Sequence, residues 1–281
     1  MGKPDISTLI VDIQRLFTHG IEVKQELVSE FAKEMAETVA RRLSEYGKER
    51  SRGRIRISNL DKPNRQLWYE VNSPEVKREE MSASALIKFL YGDLLESLLL
   101  FLAEAAGHDV QDKQKEILVD GVVGHIDARI DDVVVDCKSA SSFAFLNFEK
   151  KLDPNDPFSY IFQIAGYMAA EEAEGAFLVI DKTLGHIKLV KVGRFDKVDV
   201  HERIAEIQEM LKGPVPERCY EPEAMGKSGN MKLAVGCSYC SMKEHCWSDA
   251  NYGEGLKGFA YSNGPIWLIA IGKLPDVPQI M

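Results

Sequence analysis

A chain of 281 residues with 45% hydrophobic and 28% charged residues can bury a real core, as one large domain or as a domain with appendages. The start lacks a basic segment followed by an apolar one, and the most apolar stretch, Leu94 to Ala106, is broken by Glu96, Ser97 and Glu104, so neither a secretory signal nor a membrane span is expected and the chain reads as soluble and cytoplasmic. The net charge of −9 weighs against nucleic acid as a partner, although the distribution of charge matters more than its sum.

From Lys24 to about Tyr46, Leu27, Phe31, Met35, Val39 and Leu43 recur at helical spacing, which predicts one amphipathic helix. Next, Arg41, Arg42, Lys48, Arg50, Arg52, Arg54, Arg56, Lys62 and Arg65 meet only Glu45, Glu49 and Asp61. Arg50, Arg52, Arg54 and Arg56 alternate, so an extended backbone would set them on one face, as a solvated surface or as a track for phosphates. Ser58 to Pro74 is expected to be a loop. Ser82 or Ser84 can cap a long helix that runs to about Ala106 and is ended by Gly107. Within its nearly all-apolar stretch, Glu96 needs a partner or a cation unless it reaches solvent at the helix edge. Gly92, one turn earlier on the same face, would allow a close approach.

Gly124 to Lys138 is the most informative stretch. It predicts two strands, one ending in Ile130 and one starting at Val133, joined by a tight turn at Asp131-Asp132. In that register Asp127 faces Asp136 and His125 faces Lys138, with Cβ atoms about 5 Å apart. Alternation puts Asp136 and Lys138 on one side and Cys137 on the other. Two repelling carboxylates with an ammonium beside them make poor structure but a good seat for a divalent cation. His125 could contact substrate or metal, or serve only as a structural hydrogen-bonding residue.

A polar loop through Asp153 to Pro157 leads to a helix from about Phe158 to Ala173, on which Gln163 and Tyr167 share a face. Strands at Ala176 to Asp181 and His186 to Val192 and a helix from about Val200 to Leu211 follow, before a boundary at Gly213-Pro214-Val215-Pro216. Cys219, Cys237, Cys240 and Cys246 then give the spacing C-x17-C-x2-C-x5-C, with Cys137 apart. Four clustered cysteines in an intracellular chain argue for metal, either tetrahedral Zn²⁺, which the spacing favours, or a [4Fe–4S] cluster. Gly226-Lys227-Ser228 is no phosphate loop, because Glu221 stands where a glycine is required. The C-terminal tail holds a strand-like Trp267 to Ile271.

Gly92-x-x-x-Glu96 on a helix, then Gly124-x-Ile126-Asp127, then Asp136-x-Lys138, then Gln163-x-x-x-Tyr167 together resemble the PD-(D/E)xK nuclease superfamily. The resemblance is closest to its RecB-like branch of CRISPR-associated and phage exonucleases, and runs from roughly Ser58 to Trp247. It implies an α/β (α+β) fold: a restriction-endonuclease-like core with a mixed central sheet flanked by helices. The implied segments are 1–80 (N-terminal helical and basic), 81–215 (nuclease core), 216–250 (cysteine module) and 251–281 (C-terminal extension). It further implies Glu96, Asp127 and Asp136 as acids for Mg²⁺ or Mn²⁺, Lys138 as the catalytic lysine, and Gln163 and Tyr167 as an extra motif. Asp136 stands where many members carry Glu. The run from Cys237 to Trp247 resembles the cysteine triplet of iron–sulfur RecB-like nucleases, which moves the expectation from zinc to [4Fe–4S]. Those relatives take a fourth cysteine from an upstream segment; the similar segment here, Ser58 to Tyr69, has none, so Cys219 is the available replacement. The alternative is a three-cysteine cluster with a non-cysteine ligand and Cys219 as a buried thiol.

The implied activity is a metal-dependent DNA nuclease, specifically an exonuclease of recombination, repair or phage DNA metabolism, in the host cytoplasm if phage-encoded. The arginine series and Arg65 would contact DNA, and a helicase or recombination protein would be a partner, with no membrane involved. An endonuclease on the same fold is a second reading, and a nucleic-acid-binding scaffold with a structural cysteine site a third.

Overall fold

The computed structural model describes residues 5–44, 53–76, 82–156, 159–193 and 198–280. In chain order these begin with α1 (Leu9–His19), α2 (Gln25–Ser44), α3 (Asn64–Asn72) and the long α4 (Ala83–Ala105). Strands β1 (Val110–Gln111), β2 (Glu116–Val119), β3 (Val122–His125), β4 (Ala128–Ile130) and β5 (Val133–Ala140) follow. After α5 (Ser142–Leu146) and α6 (Ile161–Glu171) come β6 (Gly175–Asp181), β7 (Ile187–Val192) and α7 (Val200–Met210). The remainder holds β8 (Glu223–Met225), β9 (Asn230–Lys232), α8 (Val235–Ser238), α9 (Lys243–Cys246), α10 (Ala250–Gly253), β10 (Lys257–Tyr261) and β11 (Gly264–Ala270).

Two compact units contain these elements. One takes in the described residues of 1–50, 55–61 and 81–205, the other those of 51–54, 62–80 and 206–281. The division therefore falls differently from the four segments read in the sequence.

The first unit is built on a sheet of order β1-β4-β5-β6-β7 in which only β5 and β6 run parallel. Parallel neighbours need a crossover, and α6 lies in it. Every residue of β6 is buried, as a strand covered on both faces requires. On one face, Val135, Cys137, Leu178 and Ile180 pack with Leu99, Leu100 and Ala103 of α4 and Leu9 and Ile13 of α1. On the other, α6 lies against β5 and β6. This mixed sheet flanked by helices is the α+β, restriction-endonuclease-like core that was expected.

The long helix and the turn form as the sequence dictates. Ser82 caps α4 by accepting from Ala85 N at 3.2 Å. Between β4 and β5, Asp131 and Asp132 take φ of 48° and 68°, the pair of left-handed residues that a two-residue hairpin turn needs. Asp131 is held in that conformation by His108 Nδ1 at 2.6 Å and by Asp109 N, which donates at 3.0 Å.

Three expectations are corrected. Ser58 to Pro74 is not a loop throughout, since α3 occupies Asn64–Asn72 with Leu67, Tyr69 and Glu70 buried. Its nine residues are too few for periodicity to register, and the run Asn59-Leu60-Asp61-Lys62-Pro63-Asn64 before it carries turn chemistry. Secondly, α1 was passed over, although Ile6, Leu9 and Ile13 bury one stripe. Thirdly, the hairpin ladder ends at Ala128↔Val135, so His125 does not face Lys138. The chain turns away at Ile126 and Asp127, whose N–H and carbonyl bond Lys115 and Gln114, and His125 lies on β3 opposite Glu116.

In the second unit, strands of order β10-β11-β9-β8 form an antiparallel sheet, and Leu233, Cys237, Trp247, Ala250, Leu256 and Trp267 make its core. The strand-like Trp267 belongs to β11; its partners β8, β9 and β10 were not read from the sequence.

Candidate active site and cysteine pocket

Alternation along β5 sends Cys137 into the apolar core and turns Asp136 and Lys138 the other way. Asp136 is 0% exposed. Lys138 Nζ lies 2.6 Å from its Oδ2, and Gln163 Nε2 of α6 donates to its Oδ1 at 3.0 Å. Gln163 also reaches the Tyr167 hydroxyl at 2.8 Å, and its Oε1 lies 3.4 Å from the Lys138 ammonium. One amide thus joins the acid, the ammonium and the phenol. Burial alone would lower the Lys138 ammonium, but Asp136 and Asp127 outweigh it and hold the proton on. Burial and the neighbouring Asp136 raise the Tyr167 phenol, so it stays neutral.

Asp127 stands just outside the ladder and reaches the site another way: its Oδ2 accepts from Cys137 N, the residue after Asp136, at 2.7 Å. Burial raises its carboxyl well above the ordinary range, and repulsion from Asp136 and Glu96 adds to this. Glu96 on α4 is pushed up to about 7 by burial, then by Asp136 and Asp93, against the opposing bond from Gln114 Nε2 at 2.6 Å. Asp136 is raised too, by burial against the pull of Lys138. Glu96 on α4 therefore acts electrostatically on Asp127 and Asp136, some thirty to forty residues further along the chain.

Other residues were missed. Asp61 accepts from Phe162 N at 3.1 Å and Gln163 N at 3.0 Å, fixing the first turn of the helix that carries Gln163. The Tyr160 ring lies 4.9 Å from Lys138 Nζ, a cation–π contact. Neither position matches a motif, and only the fold brings them in. Gly124 has a packing reason: a Cβ there would meet Ile57 Cβ at 2.8 Å and Tyr167 Cε1 at 3.3 Å. Gly92 does not, since the nearest atom to its would-be Cβ is Ser139 Oγ at 3.9 Å. His125 is exposed, with Nε2 3.6 Å from Glu116 Oε2. Arg54 and Arg56 are exposed, and Arg50 and Arg52 lie outside the described residues. Arg65, expected to contact DNA, donates to Cys246 Sγ at 3.2 Å.

Within the second unit, Cys219, Cys237, Cys240 and Cys246 line one small cavity together with Pro63, Gln66, Arg218 and Lys243. Burial, then Cys219, pushes the Cys237 thiol up to about 12, and burial brings Cys240 to about 11. Crowded thiols so raised are what a soft metal relieves by binding them as thiolates.

Among the described residues, no three His, Cys, Asp or Glu side chains converge into a ready metal cage. The donor types nevertheless suit two kinds of guest: three hard carboxylates short of positive charge suit a divalent cation, and four thiols on one cavity suit zinc or an iron–sulfur core.

No protein-family model and no curated protein matches the chain. Among solved structures, SSO0001 is similar at 18% identity and a TM-score of 0.43, over 76% of this chain and 94% of that one. LHK-Exo, solved with dAMP, is similar at 18% identity and 0.37, over 57% and 84%. A phage-related exonuclease from Haemophilus somnus 129PT is similar at 14% identity and 0.39, over 58% and 92%.

Proposed function

We infer that this chain is a divalent-metal-dependent DNA nuclease that hydrolyses phosphodiester bonds. The observation that carries the reading is Asp136, fully buried between Lys138 and Gln163 and within electrostatic reach of Glu96 and Asp127. Three acids around one ammonium destabilise a fold, so their collection there asks for a function. Glu96, Asp127 and Asp136 would hold Mg²⁺ or Mn²⁺ through oxygen donors. Such a cation, when bound, polarises a phosphate oxygen and acidifies a water.

The chain's own residues do the rest. Lys138 keeps its proton and offers a fixed positive charge where the phosphate gains negative charge in the transition state. Asp136, Gln163 and the Tyr160 ring hold that ammonium in place, and Tyr167 holds Gln163. Exonucleolytic action, exposed arginines as phosphate contacts, and a helicase or recombination partner rest on the sequence resemblance to the RecB-like branch. The cysteine pocket is read as one structural metal centre, [4Fe–4S] or zinc, with Cys219 as the fourth thiolate; all four thiols lining one cavity supports this.

The test is digestion of linear and covalently closed circular DNA in Mg²⁺ or Mn²⁺. Loss of linear DNA alone supports an exonuclease, and cut circles would make the enzyme an endonuclease. Intact DNA in both would leave the scaffold reading. Asp136→Asn is expected to abolish cleavage and Lys138→Ala to slow it severely, while DNA binding persists in both.

A further inference from the structure

The cysteine pocket is approached by a helix that the cysteine spacing does not announce. Cys219 and Gln66, the latter in the first turn of α3, line the same cavity, and the backbone N–H groups of Gln66 and Arg65 favour the Cys219 thiolate against the burial that raises its thiol. Those N–H groups have no partner inside the helix, and the helix dipole turns its positive end toward the sulfur. From the same turn, the Arg65 side chain reaches a second cysteine 181 residues away, with Nε 3.2 Å from Cys246 Sγ.

That guanidinium is fixed from other sides as well. It donates to the Pro216 carbonyl and, at 3.1 Å, to the Tyr69 hydroxyl, one turn along α3. Across the cavity, Arg218 donates to the Cys246 carbonyl at 3.1 Å, while its own Nε is buried without a hydrogen-bond acceptor. Lys243, almost fully buried, also lines the cavity. Four thiolates around a doubly charged metal core would leave a net negative charge, and these groups offset it.

We propose that α3 is a built part of the cysteine centre: it seats two of the four thiolates, Cys219 on its first N–H groups and Cys246 on the Arg65 guanidinium. Arg65 is thus a positioning residue for the metal ligands, and metal binding is coupled to the docking of α3. The proposal rests on the reading of the four cysteines as one metal centre.

The test starts from full-length protein purified anaerobically, with iron, sulfide and zinc measured per chain. Release of the metal to excess chelator is then followed for wild type, Arg65→Ala and Arg65→Lys. Arg65→Ala is expected to release metal on the order of tenfold faster, the usual effect of deleting a group that orients a metal ligand. Arg65→Lys, which keeps the charge and loses the fork, should fall between the two. In wild-type protein, hydrogen exchange at the Arg65 and Gln66 amides should rise sharply when the metal is stripped, a measurement that needs no variant. Equal release from wild type and Arg65→Ala, with unchanged exchange at those amides, would overturn the role of α3 and leave the cysteine centre standing. Protein that carries no metal at all would overturn both.

Discussion

Around Asp136 the first unit gathers three carboxylates and one ammonium, whereas around its cysteines the second unit gathers four thiols, two guanidinium groups and one ammonium. The carboxylate site is left short of positive charge, so its acids are raised, and the proposed cation would relieve that repulsion. In the cysteine pocket the counter-charge is built into the protein, with the Arg65 guanidinium donating to the Cys246 sulfur. The first arrangement gives up stability, which the proposed exchangeable cation would restore. The second suits an ion that stays.

The sharpest way to break this contrast is to remove the charges that the first site depends on. Lys138→Ala is expected to lower DNA cleavage on the order of a thousandfold, read as single-turnover rates in Mg²⁺, because a fixed charge on the transition state is lost. Gln163→Leu should act more mildly, on the order of tenfold in rate with cation binding retained, because it loosens Lys138 without removing it. Similar rates for Gln163→Leu and wild type would show that the amide is only packing.

Effects on the folded state come next. Gly124→Ala is expected to destabilise by roughly 1–3 kcal/mol in urea unfolding, since the added Cβ drives into Ile57, while Gly92→Ala, inside α4 with room for a Cβ, should stabilise by roughly 0.5–1 kcal/mol. Asp61→Ala should cost about 1 kcal/mol through the uncapped first turn of α6.

The smallest effect is a pH slope. Glu96 is raised from its ordinary 4.5 to about 7, so between those values the folded chain keeps a proton that the unfolded chain has lost. Stability of the metal-free protein must therefore fall as pH rises across that window. Thermal midpoints against pH should show the decline, and Glu96→Gln or added Mg²⁺ should flatten it. A slope unchanged by Glu96→Gln would remove Glu96 from the acid cluster.

Much of this was legible in the sequence where spacing and chemistry coincide. Asp136 and Lys138 alternate on a strand, Gln163 and Tyr167 are four apart on a helix, and Asp131-Asp132 makes the turn between β4 and β5. What escaped depends on contacts that no local pattern encodes. Asp127 meets Asp136 through a bond to Cys137 N rather than through the ladder, because Ile126 and Asp127 leave the hairpin for Lys115 and Gln114. Asp61 reads as a turn residue, and its bond to the start of α6 spans about a hundred positions. Arg65 reads as one more basic residue in an arginine-rich stretch, yet α3, too short for its period to be recognised, carries it to Cys246.

Glu96, Asp127 and Asp136 are proposed to form a seat for a divalent cation. Calorimetric titration of the protein with Mn²⁺ near pH 7, in buffers of different ionisation enthalpy, tests it most directly. Binding that releases protons from raised carboxyls, and that disappears in Asp136→Asn, is the expected result. Binding of equal strength in Asp136→Asn, or no binding by wild-type protein, would contradict it.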